Sequence, residues 1–326
     1  MAQKRASRKK QTVGGTILTI LLVIALFLWN NPQLWEGWIP GATPEPSSPS
    51  SASTKGEPAG EAKIWYIDVG QGDSILVQLP GEDGGTANIL IDAGTTATKN
   101  TLCQWLQEHD VDRLDIVIAT HPHEDHIGGM AAVLQAIPAD TLYMPKTKSS
   151  KTPTTRCYEN MLDAADEQGV QVKEGKAGLV VYQENGALLE LVGPTRQDYD
   201  DLNAYSIVAR LTYGERTFLF TGDCTKEAEE DMLQAGMDVS ADVLKMGHHG
   251  SSTSTGDAFF QAVSPQTAVI TCGVDNDYGH PHREILALLE ESGIAVYRTD
   301  EQDTILASCD GEAITWQTGL PSVVEK

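Results

Sequence analysis

Short apolar runs bounded by turn residues dominate the chain from residue 63 onward, and their lengths predict strands more often than helices. Strands are expected at Ile64 to Val69, Ser74 to Leu79, Ala87 to Ile91, Leu114 to Ala119 and Thr141 to Met144. A second series follows at Gly178 to Gln183, Ala187 to Val192, Ser206 to Tyr213, Arg216 to Thr221, Val243 to Met246 and Ala268 to Cys272. Helices are expected between them at Asn100 to His109, Gly128 to Ile137, Thr225 to Ala235 and Arg283 to Ser292. Two strand-rich halves with intervening helices predict an α/β protein, with two sheets packed face to face and helices outside.

The start of the chain follows a different pattern. No charge occurs between Lys10 and Glu36, and Val13 to Trp29 is almost wholly apolar behind Lys4, Arg5, Arg8, Lys9 and Lys10. This predicts one N-terminal membrane-anchor helix over residues 13–35, with Trp29, Trp35 and Trp38 at the interfacial belt. The small residues that a signal peptidase wants are missing after the apolar stretch, so the anchor is expected to stay uncleaved. The positive-inside rule makes residues 1–12 a basic cytoplasmic N-terminus and the rest extracytoplasmic on a single-pass cell-membrane protein. Residues 36–62, rich in Pro and Ser from Gly41 on, read as a flexible linker. Residues 63–318 then form the folded domain and 319–326 a tail.

The formal charge of −23 is concentrated outside the basic start, so the folded part is strongly acidic. Such a field repels polyanions unless a local patch or bound cations offset it, but it does not exclude a nuclease whose metals meet the phosphate. Cys103, Cys157, Cys224, Cys272 and Cys309 are odd in number, widely spaced and without a Cys-x-x-Cys pair. They read mostly as buried thiols, with a single disulfide open to any pair.

Candidate chemistry begins after the run Leu114 to Ala119, where His121, His123, Asp125 and His126 fall within six residues of a strand-to-helix loop. Pro122 keeps the first pair extended, so both imidazoles can reach one cation. Asp125 and His126 follow too closely to serve that ion in the same geometry, which points to a second. Two more strand ends supply donors: Thr221-Gly222-Asp223, whose carboxylate can bridge two cations, and Gly247-His248-His249-Gly250, one of whose histidines can complete the second site. Taken alone, Asp223 is an ordinary turn former. Asp92, in Ile91-Asp92-Ala93-Gly94, is expected to accept a hydrogen bond from a ligand imidazole and fix its tautomer.

In this order, Ile-Asp92-Ala-Gly, the His121 to His126 cluster, Thr-Gly-Asp223 and Gly-His248-His249-Gly-Ser resemble the metallo-β-lactamase superfamily of αββα hydrolases. The resemblance runs from about Ala62 to Gln317 and implies a four-layer αββα metallo-β-lactamase-like sandwich. Tyr66 to Ser74, with Asp68-Val69-Gly70-Gln71-Gly72-Asp73, and Tyr278-Gly279-His280-Pro281-His282 are similar to the C-terminal hydrolase domain of ComEC-type competence proteins. That likeness implies a metal-dependent phosphodiesterase acting on nucleic acid, by attack of a metal-bridging hydroxide. Teichoic-acid phosphorylcholine esterases resemble the same opening motif, so a wall phosphodiester is the alternative substrate. A non-catalytic module of a DNA-uptake assembly is the third reading, and intact Asp125, Asp223 and His248 argue against it.

The resemblance implies two divalent ions, Zn²⁺ or Mn²⁺. His121, His123 and Asp223 would hold one, and Asp125, His126, Asp223 and His248 the other, with His249 a possible further donor. The superfamily usually supplies another histidine before Ser206 to Leu211, yet Asp198 to Tyr205 contains none. Asn203 or a nearby acid can supply oxygen there instead, which weakens the first site or favours Mn²⁺ over Zn²⁺. Asp125 is expected to orient the hydroxide. His280 is expected to protonate the leaving alkoxide or bind a nonbridging phosphate oxygen. Gly70 and Gly72 in the loop Asp68 to Ser74 are expected to allow close approach of substrate.

Overall fold

The computed structural model describes residues 56–81 and 84–324. The basic segment 1–12, the anchor 13–35 and most of the linker 36–62 lie outside them. Among the described residues no helix is long and apolar enough to cross a membrane.

The first half alternates strands and helices: β1 (Ala62–Tyr66), β2 (Ile75–Pro80), β3 (Thr86–Ile91), α1 (Lys99–Glu108), β4 (Leu114–Ile118), α2 (Glu124–Ile127), α3 (Met130–Ala136), β5 (Ala139–Met144), α4 (Arg156–Gln168) and β6 (Gln171–Glu174). The second comprises β7 (Leu179–Glu184), β8 (Ala187–Gly193), β9 (Val208–Tyr213), β10 (Arg216–Phe220), α5 (Lys226–Gln234), β11 (Val243–Lys245), α6 (Asp257–Val263), β12 (Thr267–Ile270), α7 (Arg283–Ser292), β13 (Ala295–Arg298), α8 (Thr299–Gln302), β14 (Thr304–Cys309) and β15 (Ile314–Leu320). One sheet runs β15-β14-β1-β2-β3-β4-β5-β6 and the other β13-β12-β11-β10-β9-β8-β7.

Alternation along the strands explains the layering. In β1, Ala62, Ile64 and Tyr66 point into the space between the sheets, where they meet Leu189, Leu211, Phe218 and Phe220. In β4, Ile116 and Ile118 face that same core, while Leu114 and Val117 face the helices. Burial on both faces is why Leu114 to Ala119 reads as an apolar run interrupted only by Asp115. Leu102, Trp105 and Leu106 of α1, Val133 of α3 and Met161 of α4 cover one sheet. Met232 of α5, Phe259 of α6 and Leu289 of α7 cover the other. The result is α/β, with two sheets between helical layers.

Several boundaries differ from the sequence reading. The helix expected over Gly128 to Ile137 begins at Met130, and residues 124–127 form their own short turn. The strand expected from Ser206 starts at Val208, because Ser206 Oγ instead accepts from Asp223 N–H at 3.2 Å. The chain does not release at 318: β15 runs to Leu320, Val323 is buried, and Ser322 Oγ donates to Asp68 Oδ2 at 2.7 Å. Elements α4, α6, β6, β13, β14 and β15 carry no run that stood out in the sequence. β14 is buried at every position yet contains Thr304, Ser308 and Cys309, while β6 is largely exposed. All five cysteines are free thiols.

Candidate metal centre

Chemistry-bearing side chains collect where the carboxyl ends of both sheets' inner strands meet. β3 runs parallel to β4, and β10, β11 and β12 are mutually parallel, so their following loops emerge on one edge. Asp92 follows β3, His121 to His126 follow β4, Asp223 follows β10, His248 and His249 follow β11, and Thr271 follows β12. Gly222 lets the loops from opposite sheets touch. It sits at φ +50°, and a Cβ there would lie 2.9 Å from Thr120 Oγ1. His248 and His249 are also left-handed, at φ 51° and 54°, a conformation that non-glycine residues adopt at an energetic cost and that clusters at functional sites.

Asp223, 1% exposed, is the hub. Its Oδ1 lies 3.2 Å from His126 Nε2 and 3.6 Å from His249 Nε2. Its Oδ2 lies 3.7 Å from His121 Nε2 and 3.5 Å from His248 Nε2. Asp125 Oδ2 is 3.3 Å from His249 Nε2 and 3.8 Å from His126 Nε2, and His123 Nδ1 is 3.1 Å from His121 Nε2. Donor atoms of Asp125, His126, Asp223 and His249 all lie within 4.8 Å of one another. Spacing alone makes His248 the expected member of that set. The structure brings His249 there, and sets His248 on the other oxygen of Asp223, beside His121.

Partners on the far side of each ring fix its tautomer. His126 Nδ1 donates to Asp92 Oδ2 at 2.7 Å, and His249 Nδ1 donates to the Thr271 carbonyl at 2.8 Å. Thr120 Oγ1 donates to Asp92 Oδ2 at 2.6 Å and so accepts from His121 Nδ1 at 3.1 Å. Each Nε2 is left facing a carboxylate oxygen. His126 Nε2 and Asp223 Oδ1 are buried and neither has a hydrogen-bond partner. A lone pair against a carboxylate at that separation requires a cation or a proton between them, so the donor set fits a divalent metal.

The charge balance agrees. Burial disfavours ionised Asp223, yet His126, His249 and His121 outweigh it and hold its carboxyl well below the usual range. Burial also opposes a proton on His126, but Asp223 and Asp92 prevail and raise its pKa far above that of a free imidazole. His121 moves the opposite way, pushed down by burial and by neighbouring His126.

Three contributors went unnoticed in the sequence. Lys245, fully buried at the end of β11, ion-pairs with Asp73 and donates to the Gly222 carbonyl at 3.2 Å. Thr271 Oγ1 donates to the other oxygen of Asp73, and Thr120 links Asp92 to His121. A lysine in an apolar strand is the one signal that could have prompted the search, since an unpaired buried ammonium is too costly to keep.

The opening loop serves mainly as scaffold. Asp68 Oδ1 accepts from Gly70 N–H at 3.0 Å, and Gln71 Oε1 accepts from Gly273 N–H at 3.1 Å. Gly72, at φ +154°, lies so close to the Asp125 carbonyl that a Cβ would collide with it, and Asp73 N–H donates to that carbonyl at 3.2 Å. Here the close approach is to the ligand loop. Asp73 Oδ1 lies 3.4 Å from His249 Nδ1, and Lys245, then His249, overcome burial to hold its carboxyl low. Asn203 is buried with Oδ1 unpartnered, on a turn whose Ser206 and Ile207 bond Asp223 and Thr120. His280 lies with its ring centre 5.4 Å from that of His248, and burial, reinforced by His249 and His248, pushes its pKa down to about 4.

The profile of the metallo-beta-lactamase superfamily matches residues 67–274, and the chain belongs to that superfamily, whose members are hydrolases. It is 35% identical over 261 residues to ComE operon protein 3 of Bacillus subtilis (strain 168), covering 75% of this chain and 33% of that one. Competence protein ComA of Neisseria gonorrhoeae is 32% identical over 247 residues, 74% of this chain and 32% of that one. The chain thus spans about a third of the length of these ComEC-type relatives. Among solved structures, a metallo hydrolase from Ignicoccus hospitalis aligns at 18% identity and TM-score 0.47, covering 76% of this chain and 98% of that one.

Proposed function

We propose that this chain is a two-metal phosphodiesterase acting on nucleic acid. The observation that carries the metal reading is the set Asp125, His126, Asp223 and His249, the last three of them buried, whose facing atoms His126 Nε2 and Asp223 Oδ1 have no hydrogen-bond partner. Those four residues would hold one ion; His121, His123, His248 and Asp223 would hold the other. His248 thus supplies the nitrogen that Asp198 to Tyr205 lacks, and Asn203 Oδ1 remains a candidate oxygen donor. When bound, two divalent cations provide an acidified water and positive charge for phosphoryl oxygens.

The chain's own residues do the remaining work. Asp125, the most exposed carboxylate of the set with 29% of its side chain accessible, orients the attacking water through Oδ2. Asp92 and Thr271 hold His126 and His249 so that their Nε2 lone pairs point inward. His280 is neutral at pH 7, and cations bound nearby would only lower its pKa further. A neutral ring can donate an N–H to a nonbridging phosphate oxygen, and that is the role assigned to it.

Similarity to ComE operon protein 3 and to a competence protein supports nucleic acid as the substrate. The anchor reading of residues 13–35 puts the domain outside the cell, where a wall phosphodiester is the competing substrate. The test is a metal-replete assay of the full chain on single- and double-stranded DNA, RNA and a phosphorylcholine ester. Polynucleotide cleavage is expected, and turnover of the choline ester alone would overturn the nuclease reading. Asp223→Ala, which removes the shared ligand, should abolish bound metal and activity together.

A further inference from the structure

The acidity of this chain poses a problem that the metal centre alone does not solve. With a net charge of −23, the molecule as a whole repels a polyanion, so a strand can dwell at the site only if local features hold it. Two such features flank the metal centre.

The first is the segment after β5. Between Asp140 and Glu159 the chain carries Lys146, Lys148, Lys151 and Arg156 and no acid at all. It starts beside the ligands, since Met144, Pro145 and Thr147 line a small cavity with His121 and Pro122. Lys148 is tied down by Asp200 at 2.6 Å, and its backbone N–H reaches Tyr205 Oη at 3.4 Å, on the turn that carries Asn203. Lys146 and Arg156 are exposed, and among the described residues neither is held by an ion pair. Arg156 opens α4, where a cation opposes the helix dipole, so helix stability offers no reason for its presence.

The second feature follows a strand of the other sheet and lies next to His248. Tyr278 is 66% exposed and stacks on His280 with ring centres 5.6 Å apart and planes 22° from parallel. Its exposure is not slackness. Asn276 clamps the loop, with Nδ2 donating to the carbonyls of Gly273 and His280 at 2.9 and 2.7 Å and Oδ1 accepting from His280 N–H at 2.9 Å. An exposed aromatic ring held firmly at the rim of a site is a platform for another flat ring.

We infer that these rims form a track for single-stranded nucleic acid: Lys146, Lys151 and Arg156 hold backbone phosphates at one rim, and Tyr278 stacks an unpaired base at the other. The inference rests on the phosphodiesterase reading and adds strandedness to it, because a base inside a duplex offers no free face to Tyr278.

Binding of a fluorescent oligonucleotide to the full chain in chelator separates recognition from cleavage. The variant Lys146→Glu/Lys151→Glu/Arg156→Glu should bind the single strand more weakly and lower the slope of log K against log salt by about 2, near 0.7 for each lost phosphate contact. Tyr278→Ala should lose roughly tenfold on the normal strand and nothing on an abasic strand of equal length. Unchanged melting temperatures would show that both variants fold. Wild-type affinity in both, with the wild-type chain still cleaving the strand, overturns the track and leaves the phosphodiesterase reading standing. Equal losses for Tyr278→Ala on normal and abasic strands overturn the stacking. A wild-type chain that neither binds nor cleaves the strand overturns the nucleic-acid reading and the track with it.

Discussion

The two oxygens of Asp223 face unequal surroundings. On the Oδ1 side, His126 and His249 are 0% and 1% exposed, and their Nδ1 atoms donate to a carboxylate and a backbone carbonyl. Behind them stands the buried Asp73–Lys245 pair. On the Oδ2 side, His121 and His248 lean on the hydroxyls of Thr120 and Thr253, at 3.1 and 3.0 Å, and a quarter of the His248 side chain is accessible (25%). A carboxylate behind an imidazole raises its basicity and locks its ring, whereas a hydroxyl does less of both. On the two-metal reading, the difference makes the Oδ1 position the firm one and the Oδ2 position, where the expected histidine is missing, the looser one.

The largest effect should come from breaking that asymmetry at its ligands. His249→Ala is expected to take bound metal below one ion per chain, whereas His248→Ala should retain about one, as read by elemental analysis after dialysis. Equal losses would break the comparison. Next come the supports. Asp73→Asn should weaken the tighter of two chelator-competition steps by roughly 10- to 100-fold and leave the weaker step in place. Lys245→Met should do the same and also lower the melting temperature, because it leaves Asp73 buried without its cation. A shift confined to the weaker step would reverse the assignment.

The smallest effect concerns Glu229 of α5, which shapes the loop after the His248-His249 turn. Its carboxylate accepts from Thr255 and Gly256 N–H at 2.6 and 2.8 Å, and burial raises its pKa from 4.5 to about 7. The folded chain therefore keeps a proton that the unfolded chain has released between those values, so this group's contribution to stability falls as pH rises from 4.5 to 7. Glu229→Gln should flatten that part of the curve of melting temperature against pH. A constant offset between the two proteins would refute the assignment.

The legible parts of the chain were those where one local pattern sufficed. Leu114 to Ala119 announced a buried strand because helices cover one face and the second sheet the other. His121 to His126 announced a metal loop because so many donors in so few residues have no other common use. β14 was missed because its burial comes from pairing with β1 on one side and β15 on the other, a property its Thr, Ser and Cys do not display. Lys245 was missed because its partner Asp73 lies far away in sequence, in a loop that read as a place for substrate.

By itself, then, the sequence determined the α/β class, the strand ends that carry donors, and the family resemblance, since periodicity and ligand spacing are properties of adjacent residues. Only the tertiary structure decided which histidine of the 248–249 pair meets Asp125 and which meets His121. Two neighbours in the same strained turn point to opposite oxygens of Asp223. Thr253, which receives His248, is a near neighbour in the same loop, but Thr271, which receives His249, stands at the end of another strand, and that placement has no counterpart in local spacing.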